Sequence, residues 1–96
     1  MRTTEREIDW TSAFKRDFKR EKKTDRQLES ILEPVLTALV TDAPLAKKYA
    51  DHAMTGDWKD HRDCHIKPDL VLIYRKPDND TLRLVRLGSH AELTDC

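Results

Sequence analysis

Residues 59–88 read KDHRDCHIKPDLVLIYRKPDNDTLRLVRLG, and this stretch decides the fold. It contains three strand-like runs, at 59–66, 69–76 and 81–88, and the second and third are rich in Leu, Val and Ile. Lys67-Pro68 separates the first two runs and Pro77-Asp78-Asn79-Asp80 the last two, which are residue types that favour turns. The stretch therefore predicts an antiparallel meander of three strands joined by hairpins.

The first residues of the chain predict a short strand followed by a helix. Residues 3–10, TTEREIDW, alternate loosely in polarity, as a strand does. A helix is expected over 11–22, because Trp10, Phe14 and Phe18 recur at i, i+4 and i+8. These three aromatic side chains are predicted to form its buried line.

A second helix is predicted to begin after Thr24, with Gln27 completing a capping box. Pro34 lies inside this helix and should cost about 3 kcal/mol relative to a good helix former. The apolar pattern nevertheless continues across Pro34, so we expect one kinked helix. Its apolar ladder is Leu28, Ile31, Leu32, Val35, Leu36, Leu39 and Val40.

The order of these elements predicts an α+β fold in a single domain over 1–96. A strand, two helices and a three-strand meander would place both helices on one face of the sheet. The other face would then be free to bind a ligand.

The composition of the 96 residues excludes several classes of protein. No apolar run approaches the roughly 18–20 residues of a membrane span, and the N-terminus lacks the apolar core of a signal peptide. We therefore expect a cytoplasmic protein. The two cysteines, Cys64 and Cys96, should remain thiols in a reducing compartment.

The formal net charge is zero, but the charges are unevenly distributed. Residues 14–26, FKRDFKREKKTDR, hold seven Lys or Arg and three Asp or Glu. This basic stripe is compatible with a solvated helix face or with contacts to a nucleic-acid backbone. The lysines predicted to bind substrate are Lys15, Lys19, Lys22 and Lys23.

The cluster of His61, Cys64 and His65 resembles a metal site in spacing but not in strand geometry. On a strand Cys64 would point away from both histidines, and the two histidines would lie roughly 13 Å apart at about 3.3 Å per residue. Ligands that share one zinc ion lie at about 2 Å from it. We predict no metal and no cofactor.

The remaining groups with useful chemistry are His52, His65, Asp69, Arg86 and His90. Cleavage of RNA requires a base for the ribose 2′-OH, an acid for the leaving 5′-oxygen and a cation for the transition state. Two titratable groups and one arginine would suffice. Taken singly, each histidine is also compatible with a structural role, Asp69 with a turn and Arg86 with a surface ion pair.

The C-terminal half of the chain resembles the YafQ branch of the RelE superfamily of bacterial toxin–antitoxin ribonucleases. The resemblance is carried by DHAMTGDWKDHRDCHIKPDLVLIYRK and LRLVRLGSHAEL, and its strongest parts are G-x-W-K, R-D-x-H-x-x-P-D and R-x-G-x-H. It implies a RelE-like microbial RNase fold. It also implies cleavage of mRNA in the ribosomal A site, contact with rRNA and neutralisation by a cognate antitoxin.

The resemblance places His52, His65, Asp69, Arg86 and His90 in the active-site cleft. We assign His90 as the general acid, Asp69 or His65 as the general base, His52 as a supporting group and Arg86 to the transition state. Trp58 and Tyr74 are assigned to packing.

Two positions depart from the family pattern. Leu70 stands where a relative carries Trp, and Thr94 where it carries Phe, so base stacking could be weaker here. A non-catalytic RNA- or ribosome-binding module of the same fold is therefore the alternative.

Overall fold

The structure is a computed structural model that describes residues 5–94, except for the side chain of Thr94. It contains five strands and three α-helices within that range. In chain order they are β1 Glu7–Trp10, α1 Ser12–Thr24, α2 Leu28–Val40, β2 His52–Ala53, β3 Arg62–Lys67, β4 Leu70–Arg75, β5 Thr81–Gly88 and α3 His90–Thr94. Single 3₁₀ turns occur at Lys47–Tyr49 and Gly56–Trp58.

The five strands form one mixed sheet in the order β1-β5-β4-β3-β2. Strands β3, β4 and β5 are antiparallel neighbours, which confirms the predicted meander. The sheet is larger than predicted, because β1 pairs in parallel with β5 and the two-residue β2 pairs with β3. Of the strand predicted over 3–10, only Glu7–Trp10 is paired, and residues 3 and 4 lie outside the described range.

Helix α1 begins one residue after Thr11, whose hydroxyl accepts a hydrogen bond from Phe14 N at 2.9 Å. Phe14 is buried and Phe18 packs against the same core, as predicted. The prediction for Trp10 was wrong, because Trp10 is 48% exposed. It belongs to the edge strand β1, where it lines an open groove together with Phe14 of α1 and Leu36 of α2.

Helix α2 runs from Leu28 to Val40 without interruption at Pro34, which confirms a single helix; the kink stays a prediction. The predicted capping box was wrong, because Thr24 is the last residue of α1. Asp25 forms the turn instead: its Oδ1 accepts from Gln27 N at 2.9 Å and its Oδ2 from Lys67 Nζ at 2.9 Å. A carboxylate that also pairs with a lysine is a stronger turn former here than the threonine hydroxyl.

The main core lies between the two long helices and one face of the sheet. The buried residues of α2 all belong to it, together with side chains of β3, β4 and β5: Leu28, Leu32, Val35, Leu39, Val40, Cys64, Ile66, Leu70, Leu72, Tyr74, Leu82, Leu84 and Leu87. The predicted apolar ladder of α2 therefore faces the core.

The opposite face of the sheet is only partly open, which corrects the expectation of a free face. Leu93 of α3 packs there on Val71 and Ile73, with Met54 and Trp58 beside them. Trp58 thus packs, as predicted. The short helix α3 was not predicted, and it places His90 at a helix start instead of in a loop.

None of the helices within residues 5–94 is both long and apolar enough to cross a membrane.

Candidate active site

His65 and His90 are brought together at one end of the sheet. Their rings stack with centroids 5.9 Å apart and an angle of 23° between the planes. His65 lies on β3 in a row with Val71 and Gly88, and His90 follows that glycine after one residue. Ser89 caps α3 by accepting from Glu92 N at 3.2 Å, which orients the helix that carries His90.

His52 lies on β2. The register pairs it with Asp63 of β3, which is two residues before His65. Its Nδ1 is 3.0 Å from the Ala50 carbonyl oxygen and 3.0 Å from Asp63 Oδ1. Two acceptors at this nitrogen require that Nδ1 carries the proton in the neutral ring. The other ring nitrogen, Nε2, is then an unprotonated acceptor.

Asp63 is a buried carboxylate that sequence reasoning missed. It is 1% exposed, and no donor within residues 5–94 makes a well-aligned hydrogen bond to its Oδ1. His52 Nδ1, at 3.0 Å, is the ionisable group that approaches this buried oxygen. The sequence feature that could have identified Asp63 is its position as the acidic residue of the R-D-x-H motif.

The segment before His52 is anchored by Asp51. Its Oδ1 accepts from the hydroxyl of the buried Tyr74 at 2.6 Å, and its carboxylate pairs with Arg62 at 3.2 Å. Burial and the hydrogen bond to Asp51 raise the pKa of Tyr74 well above its usual value. Tyr74 is thus a packing residue that holds β2 in place, in agreement with its assignment.

Arg86 lies on β5 opposite Ile73, in the same row of the sheet as Asp63. Its Nε and Nη2 donate to Asp17 of α1 at 2.6 and 3.2 Å, while its side chain stays 28% exposed. The hydrogen bond to Asp17 raises the pKa of Arg86. Arg86 is therefore a fixed cation at the border of the site.

Asp69 lies at the turn between β3 and β4 and is exposed. This turn is at the same end of the sheet as His65, since Lys67 pairs with Leu70. Asp69 thus lies two residues before Val71, which is the register partner of His65.

Leu70 is buried in the main core, on the helix side of the sheet. Its departure from the family pattern therefore concerns packing and not base stacking in the cleft. The side chain of Thr94 is not among those that the structure describes, so the effect of this second departure on base stacking stays a prediction.

The lysines of the basic stripe lie on α1 and are exposed. Lys22 forms an ion pair with Glu29 and lies 5.9 Å from the centre of the Phe18 ring. The four lysines lie on α1, whereas His65 lies on β3 and His90 on α3. Arg86 is the predicted catalytic residue that contacts α1, through Asp17.

The cluster of His61, Cys64 and His65 does not converge. Cys64 points into the main core, and burial raises the pKa of its thiol to about 12. His61 instead packs edge-on against Trp58, with ring centroids 5.2 Å apart. Across residues 5–94 no group of three His, Cys, Asp or Glu side chains is arranged to hold a metal ion.

The second missed residue is Asp17, which is 1% exposed on the inner side of α1. Burial opposes its charge, but hydrogen bonds from Arg86 and from the Leu87 amide outweigh burial and lower its pKa. An acidic residue between Phe14 and Phe18, inside an otherwise apolar helix face, was the signal.

Comparison with known proteins gives a consistent result. Residues 6–95 match the profile of a family described as a bacterial toxin of the type II toxin–antitoxin system, YafQ. The mRNA interferase toxin YafQ of Escherichia coli K12 is 36% identical over 89 residues, which is 93% of this chain and 96% of that protein.

Solved structures agree with the sequence match. YafQ in the E. coli DinJ–YafQ complex has a TM-score of 0.80 at 36% identity, covering 92% of this chain and 97% of that one. A copper-bound variant of a toxin from Helicobacter pylori has a TM-score of 0.85 at 40% identity, covering 91% and 97%.

Proposed function

The chain belongs to the YafQ family of bacterial toxins from type II toxin–antitoxin systems, and from this premise we propose that it is an endoribonuclease that cleaves mRNA. The single observation that carries the proposal is the stacked pair of His65 and His90 at 5.9 Å, beside His52 and Arg86 on one side of the sheet. Both rings can approach one phosphodiester, as acid–base cleavage of RNA requires.

In the proposed reaction the ribose 2′-oxygen attacks the neighbouring phosphorus as a base removes its proton. The bond from phosphorus to the 5′-oxygen breaks, and His90 donates a proton to that leaving oxygen. The products are a 2′,3′-cyclic phosphate and a 5′-hydroxyl. DNA lacks the 2′-hydroxyl, so this mechanism cleaves RNA and not DNA.

The general base is proposed to be Asp69 or His65, as the sequence suggests, with His52 in support. The contacts of Nδ1 with the Ala50 carbonyl oxygen and with Asp63 hold the His52 ring in place, so Nε2 is the ring nitrogen left for the substrate. All three groups remain candidates for the base.

Arg86 is proposed to stabilise the charge that develops on the phosphoryl oxygens. A guanidinium offers five N–H donors in a planar fork, and the pair with Asp17 uses Nε and Nη2. The Nη1 edge is left for a phosphate.

The partners of the proposed toxin are mRNA in the ribosomal A site, rRNA and a cognate antitoxin, and we place the protein in the cytoplasm. The DinJ–YafQ complex of the E. coli relative supports the antitoxin. No step of this mechanism requires a metal or a cofactor, and the described residues do not form a three-ligand metal site.

The proposal is tested by cleavage of ribosome-bound mRNA by the purified protein and by its His90→Ala variant. Loss of a general acid should slow cleavage by about 10²–10⁴-fold without unfolding the chain. His61→Ala is the matched control, because His61 packs on Trp58 outside the site, and it should cleave at the wild-type rate.

Two further experiments distinguish this mechanism from metal-dependent cleavage and from RNA binding without cleavage. A message with a 2′-deoxy nucleotide at the cleavage position should resist the wild type, and a transition-metal chelator should leave activity intact while magnesium maintains the ribosomes. A wild-type protein that binds ribosomes but never cleaves would instead identify a non-catalytic binding module. The same comparison in cells is growth arrest on induction of wild type but not of His90→Ala.

A further inference from the structure

Asp17 is the most deeply buried carboxylate of α1 and a centre of hydrogen bonding. It accepts from Arg86 Nε at 2.6 Å, from Arg86 Nη2 at 3.2 Å and from the Leu87 amide at 3.0 Å. Arg20 Nη1 lies 3.4 Å from its Oδ1. Three groups from two elements thus meet at one side chain that is 1% exposed.

One part of this arrangement is structural. Strand β1 stops at Trp10, opposite Leu84, so the last part of β5 pairs with β4 on one side and has no neighbouring strand on the other. Side chains of α1 and its cap replace it: the Thr11 hydroxyl donates to Val85 O at 2.7 Å, and Arg20 donates to Leu87 O at 3.2 Å. Asp17 likewise accepts a hydrogen bond from the Leu87 amide. Together these contacts satisfy backbone groups along the unpaired edge of β5.

Capping the Leu87 amide does not require a charge. An asparagine oxygen accepts the same hydrogen bond, and burial of an ionised carboxylate is costly unless it is paired. The charge of Asp17 is instead matched to cations, and Arg86 makes the closest contacts with it, at 2.6 and 3.2 Å, while Arg20 lies at 3.4 Å. A planar, two-point pair also sets the orientation of that guanidinium, which a single capping bond would not.

The same carboxylate is linked to the helix that carries His90. Arg20 Nη2 donates to Glu92 Oε1 at 3.2 Å, and Arg20 Nη1 lies 3.1 Å from Glu92 Oε2 in the same ion pair. Glu92 lies two residues after His90 on α3. Asp17 therefore lies between the elements that hold the proposed acid and the proposed transition-state cation.

We propose that Asp17 is a positioning residue, which holds the Arg86 fork so that its Nη1 edge faces the scissile phosphate. This inference rests on the proposed function, because it assigns Asp17 a part in that reaction. Asp17 itself does not touch RNA. Its effect on the rate passes through Arg86.

The test is a double-mutant cycle of Asp17→Asn and Arg86→Lys, with kcat and KM for cleavage of ribosome-bound mRNA. Asparagine keeps the cap on Leu87 but not the charge. We expect Asp17→Asn to lower kcat by about 10²-fold, the scale of a small misplacement of a reacting group, with KM close to that of the wild type. In the Arg86→Lys background the same substitution should cost little more.

Asp9→Asn is the matched control. Asp9 pairs with Arg83 of β5 at 2.8 Å, so this variant also removes an Asp–Arg pair from the same strand, but away from the site. Its kcat should be that of the wild type. An equal loss of kcat on Asp17→Asn in both backgrounds would show a purely structural role and overturn the inference.

A second measurement is made on the wild-type protein, so that the inference can still be tested when Asp17→Asn does not fold. In the wild-type protein, the Nε–H resonance of Arg86, identified by its loss in Arg86→Lys, should exchange with water more slowly than that of the exposed Arg26. Equal exchange of the two would overturn the inference. A wild type that does not cleave RNA overturns the proposed function and this inference together, whereas an active wild type with uncoupled variants overturns only the inference.

Discussion

The carboxylates of Asp17 and Asp42 show how burial decides the value of an ion pair. Hydrogen bonds from Arg6 and Lys76 lower the pKa of Asp42 to about 2, but its side chain is 46% exposed. Water and salt screen such a pair, which is typically worth about 0–1 kcal/mol. Asp17 is buried, and removing one partner of a buried pair costs about 3–5 kcal/mol. Removal of the buried carboxylate should therefore cost more than removal of the exposed one, because it leaves a partly buried cation without its partner.

Replacement of Asp17 should make the free energy of unfolding less dependent on acid pH. The folded-state pKa of Asp17 lies below the ordinary value of 3.8, so its stabilisation is complete above that pH and is lost as the pH falls through the folded-state value. We expect Asp17→Asn to cost about 2–3 kcal/mol at neutral pH, less than for a fully buried pair because Arg86 is partly exposed. The difference from wild type should shrink below about pH 4.

The measurement is urea unfolding between pH 2 and pH 7 at low and high salt. Asp42→Asn is the control, with an expected cost of about 1 kcal/mol or less that decreases in salt. A constant difference between wild type and Asp17→Asn at every pH would contradict the assignment of a lowered pKa to Asp17.

The junction between β5 and α3 connects the sheet to the helix that carries His90. Gly88 is the last residue of β5, and a Cβ atom there would lie 2.6 Å from Glu92 Oε1 and 3.2 Å from Arg20 Nη2. The absence of a side chain thus lets the Arg20–Glu92 pair lie directly over the strand end. Leu93 fixes the other side of α3 in the apolar cluster with Val71 and Ile73.

Gly88→Ala should displace the Glu92 carboxylate, because the end of that flexible side chain is the atom with the shortest approach. The lost pair is partly exposed, so we expect unfolding to become easier by about 1 kcal/mol or less. Amide exchange in α3 should speed up more than in β4. In a Glu92→Ala background, Gly88→Ala should have almost no further effect on stability.

Gly56→Ala provides the contrast for this prediction. Gly56 has a φ of +67°, and a Cβ atom there would meet none of the described atoms within 4 Å apart from those of its chain neighbours. Alanine at this position is therefore strained by its backbone and not by contact. Its cost should be independent of Glu92. If Gly88→Ala is equally costly with and without Glu92, contact with Leu93 or the sheet, and not the ion pair, explains the glycine.

At the scale of the whole molecule, the lysines of the basic stripe and the histidine pair lie on different elements. The lysines of the basic stripe lie on α1, in the helix layer, while His65 and His90 lie at the other face of the sheet. A separate basic surface can dock on rRNA or attract an acidic partner without occupying the cleft. Electrostatic attraction of this kind raises association rates more than final affinity.

Reversal of Lys19, Lys22 and Lys23 to Glu should weaken ribosome association and slow capture by the antitoxin. Both effects should decrease at high salt, because mobile ions screen exposed charges. Ribosome co-sedimentation and stopped-flow association measure the two effects. Lys47, Lys48 and Lys59, also exposed, give a matched triple reversal with the same change in net charge. If both triple variants dock as the wild type does at low salt, the stripe is only a solvated helix face.

Local patterns in the sequence were sufficient for most of the secondary structure. The strand at 81–88 was predicted at its observed bounds. The helix through Pro34 was also predicted, because its apolar periodicity can be read from neighbouring residues alone. Errors occurred where two local signals competed. Thr24 resembles a cap but ends α1, and Trp10 continues the periodicity of α1 but lies on an edge strand.

Individual motifs were also sufficient to name five candidate site residues, but not to relate them. His65 and His90 are far apart in the chain, and only the order of strands in the sheet stacks their rings. Asp17 and Arg86 are separated by 69 positions, so no local period indicates that they pair. The sequence by itself determined the two long helices, the three-strand meander and the residues with suitable chemistry, but not β2 or α3. The tertiary structure alone decided which carboxylates are buried beside which cations, because burial and long-range pairing are properties of the packed chain.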